Sequence, residues 1–342
     1  MNTLKRFSMA NSRPSMLIKL VVCLGALIIS VLAGICMGTI WISPAELFAD
    51  LMTEGLSQNE RIILYIRLPR ILATVLAGAA LAVSGTVIQA VLGNPLAAPN
   101  IIGVNAGAGL FTVFCIVIFP TAVNLLPAAA FIGALLAVLL VYGIAKKTGA
   151  SRTTIVLAGV GVSSLLNAVI DTVTTLYPDS LSGVSMFKVG GVAGVTLDSL
   201  FPAWILIVVG ILAALCFSHD LDVLSLGENT ARSLGMNVGA ARFLFLAVAA
   251  LLAGAAVSFA GLIGFVGLVV PHISRKIAGI SENTAVLPLC MLIGGAFLTI
   301  CDTFARTVFA PFELPLGIVV SYIGVPFFIW LLLSRKGGRH RD

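Results

Sequence analysis

Ten stretches of about twenty mostly apolar residues, joined by short polar segments, limit this chain more than any other feature. They run at 20–40, 71–92, 101–119, 125–145, 153–176, 198–217, 241–260, 262–280, 286–305 and 316–334. About twenty apolar residues are what a helix needs to cross the hydrocarbon core of a bilayer. Only 10% of the residues are charged, against about a quarter in soluble domains. Such a chain cannot cover a water-facing surface, so its solvent is lipid. The expectation is an all-α polytopic membrane protein of about ten transmembrane helices forming one domain over 1–342. Residues 1–19 and 335–342 are then cytoplasmic tails, the second of them basic, and 20–334 form the helical bundle. The eighth stretch is ambiguous. Residues 241–280 are almost continuously apolar and broken only by Gly261, Gly264, Gly267 and Pro271, which fits two spans or one span with a re-entrant piece.

Charge placement sets the orientation. Of 20 Lys and Arg, only Arg61, Arg67, Arg70, Lys188 and Arg306 fall on the side opposite the N-terminus. The positive-inside bias therefore puts both termini in the cytoplasm. It also explains the net charge of +6 without nucleic acid as a partner. The three arginines in the segment "ERIILYIRLPR" stand against that bias and need a reason of their own. The first apolar run follows Lys5, Arg6 and Arg13; it is too long for a signal-peptide core and is read as a span. The six cysteines lie in or beside apolar runs with no C-x-x-C pair, as small packing residues do.

Enzyme chemistry finds no support. There is no Gly-Lys pair, hence no ATP-cradling phosphate loop. His219, His272 and His340 are scattered, and no nucleophile elbow or H-E-x-x-H helix occurs. No cofactor or metal is expected on this chain. The fifth span is the most polar: Ser164, Asn167, Asp171 and Thr174 follow i, i+3, i+7, i+10 and share a helical face. Against lipid such a stripe is costly, so it faces protein or a water-filled path. Two readings fit: a translocation path at Ser164, Asn167 and Asp171, or interhelical hydrogen-bond glue. The longest cytoplasmic segment, 218–241, carries Leu221, Leu224, Leu226 and Leu234 as an apolar side punctuated by Gly227 and Gly235, which suits short helices that dock a partner. Finally, "LAGAALAVSG" at 76–85 resembles "LAGAAVSFAG" at 252–261, and Pro95 and Pro271 keep the same offset. The second copy comes five spans later, so a true repeat would be inverted in the membrane.

Four segments carry a family resemblance: "IRLPRILATVLAGAALAVSGTVIQAVLGNPLAAPNIIGVNAGAG" (66–109), "LSLGENTARSLGMNV" (224–238), "GLIGFVGLVVPHISRKIAG" (261–279) and "DTFAR" (302–306) with "ELPLGIVVSYIGVPFFIWLL" (313–332). Together they resemble the permease subunit of iron–siderophore ABC importers, the family that includes the vitamin B12 permease, over residues 20 to 334. The resemblance implies a type II ABC importer permease bundle in the cell membrane. It pairs with a second permease, identical or paralogous, above two ATPase subunits that hydrolyse ATP, and it receives cargo from an extracytoplasmic binding protein. A ferric siderophore or related chelate is the implied cargo, with haem or cobalamin as alternatives within the family. An ion-gradient-driven secondary transporter is the alternative outside it. The resemblance also assigns residues. Gly227, Glu228, Ala231, Leu234 and Gly235 match the loop that couples to the ATPase. Arg67, Arg70 and Arg306 match positions that dock acidic residues of the binding protein. The segment "TGASRTT", with Ser151, Arg152 and Thr153, resembles the inner gate.

Overall fold

The computed structural model describes residues 12–38, 40–43, 58–149 and 151–336. The acidic residues Glu46, Asp50 and Glu54 and the ends of both tails lie outside them. Every regular element among the described residues is helical. Helix α1 is Ser12–Cys36. Helix α2 starts as Gln58–Ile62, passes through a π-helical turn at Ile63–Arg67 and continues as Leu68–Leu92. There follow α3 Val104–Ile118, α4 Leu126–Lys147, α5 Arg152–Leu176, α6 Leu181–Val189 and α7 Leu197–Cys216. Then come the short α8 Ser218–Ser225 and α9 Glu228–Ser233, and finally α10 Val238–Ala260, α11 Val266–Ala278, α12 Asn283–Thr307 and α13 Leu316–Lys336.

Eight described helices are long and apolar enough to cross a membrane. The other two expected spans are shorter: α3 has 15 residues and α11 has 13. The cause is local backbone. Each is entered through a left-handed residue: Gly103 at φ +88°, closing a 3-10 turn at Pro99–Ile102, for α3, and Phe265 at φ +62° for α11. The connecting chain is tied to helix ends: Leu262 N, before α11, donates to Phe187 O in the last turn of α6, and Gly191 N, after α6, donates to Ala260 O at the finish of α10. Non-helical backbone survives at membrane depth only when buried in protein in this way. Residues 241–280 thus hold one long helix, α10, of 23 residues and one short helix, α11, of 13, with Gly261 and Gly264 between them.

The two short helices also occupy corresponding places, each following one member of the α2/α10 pair that packs at the centre. The inverted repeat is therefore visible in helix order. The residue match that suggested it is looser, because Gly85 lies well inside α2 whereas Gly261 terminates α10, and Pro95 sits in a loop whereas Pro271 is helical.

Helix α2 is the central post: 83% of its crossing window is buried, against 11% for α1 and 22% for α5. It packs most extensively on α12 and next on α10. Small residues make this possible. A Cβ on Gly78 would lie 2.1 Å from Gly294 O of α12, and one on Gly85 2.0 Å from Gly267 O of α11. The antiparallel pair α2 and α12, 25 helical residues each beyond the π turn, spans about 37 Å and joins two polar ends. One end holds the start of α2 and the finish of α12. The other holds the finish of α2, the start of α12, and the segment α8–α9. Helix α1 begins and α13 finishes at this second end.

Candidate functional site

The exposed side of α5 is unlike the other open faces. On α1 the open side is wholly apolar, with Leu17, Ile18, Val21, Val22, Ile29 and Leu32 more than half exposed, as lipid requires. On α5 the exposed residues include Ser164, Asn167, Asp171, Thr172 and Thr175 beside Leu157 and Val160. The structure thus brings Ser164, Asn167 and Asp171 onto one open face. Thr174 leaves the stripe: it is buried and returns its Oγ1 proton to Ile170 O. Asp171 lies 3.8 Å from Lys188 Nζ, both side chains largely exposed. Beside this face a cavity of about 250 Å³ is lined by Asn100, Asn105, Thr112, Ser163, Asn167 and Lys188 among apolar neighbours. Thr112 Oγ1 and Ser163 Oγ are buried in its wall without a protein partner. A polar face and a polar recess side by side suit a hydrated route.

At the first polar end Arg67, Arg70 and Arg306 are 4%, 8% and 4% exposed. Their geometry differs from the expected docking arms, because each guanidinium is engaged inside the chain. Arg70 Nε donates to both carboxylate oxygens of Asp302 at 3.1 Å, its Nη2 to Oδ1 at 3.0 Å, and its Nη1 to Glu313 at 2.7 Å. Arg306 Nε lies 3.2 Å from the other Asp302 oxygen, and its Nη2 donates to Gly34 O at 3.0 Å. Arg67 donates to the carbonyls of Ile35, Cys36 and Ile40. The last carbonyls of a helix have no intrahelical donor and carry the negative end of its dipole. Arg67 and Arg306 thus cap α1. The bundle buries these arginines because α1 ends there and because Asp302, 1% exposed in its side chain, supplies the counter-charge. Sequence reasoning missed Asp302 and Glu313. The available signal was an aspartate inside an apolar span, four residues before Arg306 on the same helical face.

At the second end, α8 and α9 form a small shelf. Leu221, Leu224 and Ala231 are fully buried, whereas Leu226 and Leu234 are each 64% exposed. The expected single apolar side is therefore two: one seats the shelf on the bundle and the other faces away. Gly227 adopts φ +112°, ψ +156° and Gly235 φ +85°, and a Cβ on either would touch nothing within 4 Å. Backbone conformation, not space, requires glycine there. Glu228 ties the shelf together, pairing with Arg232 at 2.7 Å and with the buried Arg242 of α10 at 3.2 Å. The segment leading into α5 lies close by. Ser151 caps α5 through Thr154 N at 3.1 Å and is exposed with Thr153. Arg152 turns away from both and donates to Leu224 O of α8.

A bundle of this kind, with a polar helix face, a buried charge cluster at one end and a shelf of two short helices at the other, suits a membrane permease. The profile of the FecCD transport family matches residues 26–334. The iron(III)-citrate import permease YfmE of Bacillus subtilis (strain 168) is 35% identical over 333 residues, covering 96% of this chain and 98% of that protein. The cobalamin import permease BtuC of Halobacterium salinarum is 38% identical, covering 87% and 81%. Among solved structures, a metal-chelate-type ABC transporter in an inward-facing conformation superimposes with a TM-score of 0.83 at 27% identity, over 92% of this chain and 98% of that one. The chain belongs to the FecCD transport family and is the permease component of an ABC importer.

Proposed function

We propose that this chain forms, with a second permease copy or paralogue, the passage by which a ferric siderophore or related iron chelate enters the cytoplasm. The observation that carries this reading is the open face of α5. Its Ser164, Asn167 and Asp171 are costly against lipid but suit a water-filled seam between two permeases. The iron(III)-citrate and cobalamin permeases among its relatives support a large chelate as cargo, with cobalamin or haem as the alternatives. In this reading both termini are cytoplasmic in the cell membrane and no cofactor is held by the chain. Two ATPase subunits, where ATP is hydrolysed, meet the exposed Leu226 and Leu234 of the shelf, hinged at Gly227 and Gly235. Ser151 and Thr153 stand at the inner mouth. An extracytoplasmic binding protein meets the opposite end. In this reading Arg67, Arg70 and Arg306, held in place by Asp302 and Glu313, mark the end that receives acidic residues of that partner.

The test is uptake by the assembled importer in proteoliposomes, with radiolabelled ferric citrate, a ferric hydroxamate, haemin and cobalamin in parallel. ATP-dependent entry of an iron chelate in excess of the other two supports the proposal. Preference for cobalamin or haemin reassigns the cargo, and entry driven by an ion gradient without ATP overturns the mechanism.

A further inference from the structure

Helix α8 has two polar attachments to the bundle, and they are unequal. On one side the Asp222 carboxylate accepts hydrogen bonds from Asn283 N and Nδ2, and from Thr284 N and Oγ1. These donors belong to the first turn of α12, whose own N-cap residue, Glu282, makes no side-chain cap. Asp222 thus caps α12 from another helix, placing a negative charge at the positive end of its dipole. Both carboxylate oxygens are used, and Asn283 is buried. On the other side there is one bond. Arg152 Nη2 donates to Leu224 O, in the last turn of α8, at 3.3 Å, the long limit of hydrogen-bond geometry. Arg152 Nε is buried with no partner.

Arg152 is also poorly placed in its own helix. It is the first residue of α5, where the dipole opposes a cation, while the carbonyl end of α8 attracts one. The guanidinium packs over Gly93, the left-handed cap of α2: a Cβ there would lie 2.3 Å from Arg152 Nη1. The bond to Leu224 O offsets that unfavourable placement only while α8 stays in place.

We propose that Arg152 is the positioning residue through which a displacement of α8 reaches α5. Asp222 is the fixed pivot on α12, and the Arg152–Leu224 bond is the releasable link beside the inner mouth. When α8 tilts, the four bonds to α12 hold and the Arg152–Leu224 bond breaks, which releases the start of the path-lining helix to move. The role rests on the reading of α8–α9 as the ATPase shelf.

The experiment uses the whole importer, with the ATPase and binding protein that co-purify with this chain, reconstituted in liposomes. It measures the chelate delivered per ATP hydrolysed for the native chain, Arg152→Gln and Arg152→Lys. The expected result is continued ATP hydrolysis with Arg152→Gln and a fall of about tenfold in chelate per ATP, within the range of ordinary coupling energies. Arg152→Lys, which keeps a cation able to reach the carbonyl, recovers part of that ratio. An unchanged ratio in Arg152→Gln overturns the proposal, as does parallel loss of hydrolysis and assembly in both variants, which marks a merely structural contact. A native complex without ATP-driven uptake removes the functional reading itself and this role with it, a result distinguishable from a coupled native complex with a coupled variant.

Discussion

The two polar ends of the bundle are built on opposite principles. At the arginine end, charges far apart in sequence converge on one buried carboxylate, and the carbonyls closing α1 are taken up by Arg67 and Arg306. At the shelf end, two helices of 8 and 6 residues are linked by a glycine in a conformation nearly closed to other residues, with two leucines facing outward. The first end is over-determined, since removing any member strands the others. The second rests on separate contacts, chiefly Asp222 on α12 and Glu228 on Arg242. Segments that move in allosteric cycles are drawn from such thinly held regions. The lesson is that charge in this protein fixes geometry at one end and leaves freedom at the other, while α2 and α12 run between them as a stiff pair.

The sharpest way to break this contrast is Asp302→Ala. It leaves Arg70 and Arg306 facing each other in a buried site. Removing one partner from a buried ionic network costs about 3–5 kcal/mol, so the expected outcome is loss of monodisperse protein in detergent and a much lower unfolding temperature. Near-native thermal stability would show that the arginine end is not over-determined.

Gly227→Ala comes next. Its backbone region is essentially restricted to glycine, and occupying it with a side chain costs about 1–3 kcal/mol. Because no neighbour crowds the added methyl, the shelf shifts and the bundle stays intact. Uptake should fall severely while size-exclusion behaviour and unfolding temperature stay close to native. Collapse of the whole fold would place the shelf among the rigid parts and erase the contrast. Asp222→Asn is smaller again. It keeps the shape but removes the charge at the start of α12, a loss of about 1 kcal/mol. Hydrogen exchange should quicken in the first turn of α12 and in α8, with the arginine end unaffected.

Much of this architecture is legible in the sequence, because lipid leaves long apolar runs few options. The ten places of the helices, the odd polarity of α5 and the punctuated shelf all follow from residue type and spacing. What the sequence obscures has one physical origin: it lies in who meets whom. Asp302 is 232 residues from Arg70, and no local pattern joins them, so the internal pairing of these arginines could not be read from the sequence. The direction of Thr174, the split of the shelf leucines and the grip of Arg152 on α8 are likewise tertiary facts. The shortness of α3 and α11 was half visible, in Gly103 and in the glycines before Val266, but glycine alone does not say whether a helix bends or stops.

The smallest expected effect belongs to the open face of α5, and it separates the two readings of that face. Asp171 and Lys188 are 3.8 Å apart with 72% and 45% of their side chains exposed. An exposed pair of that kind is worth about 0–1 kcal/mol, so Asp171→Asn should leave thermal stability within error of native. The same holds for Asn167, an exposed residue that borders the cavity. If these residues line a hydrated route, cysteines at 167 and 171 in a background lacking the six native cysteines should react with a membrane-impermeant thiol reagent. Reactivity should change with nucleotide state, because Arg152 at the start of α5 bonds Leu224 O of the shelf. If they are interhelical glue, both positions stay protected in every state and the substitutions cost stability instead. The two measurements are independent, and each reading demands opposite results from both. A stable, reactive α5 would complete the contrast: a rigid charged end, a hinged shelf, and between them one helix free to carry the motion.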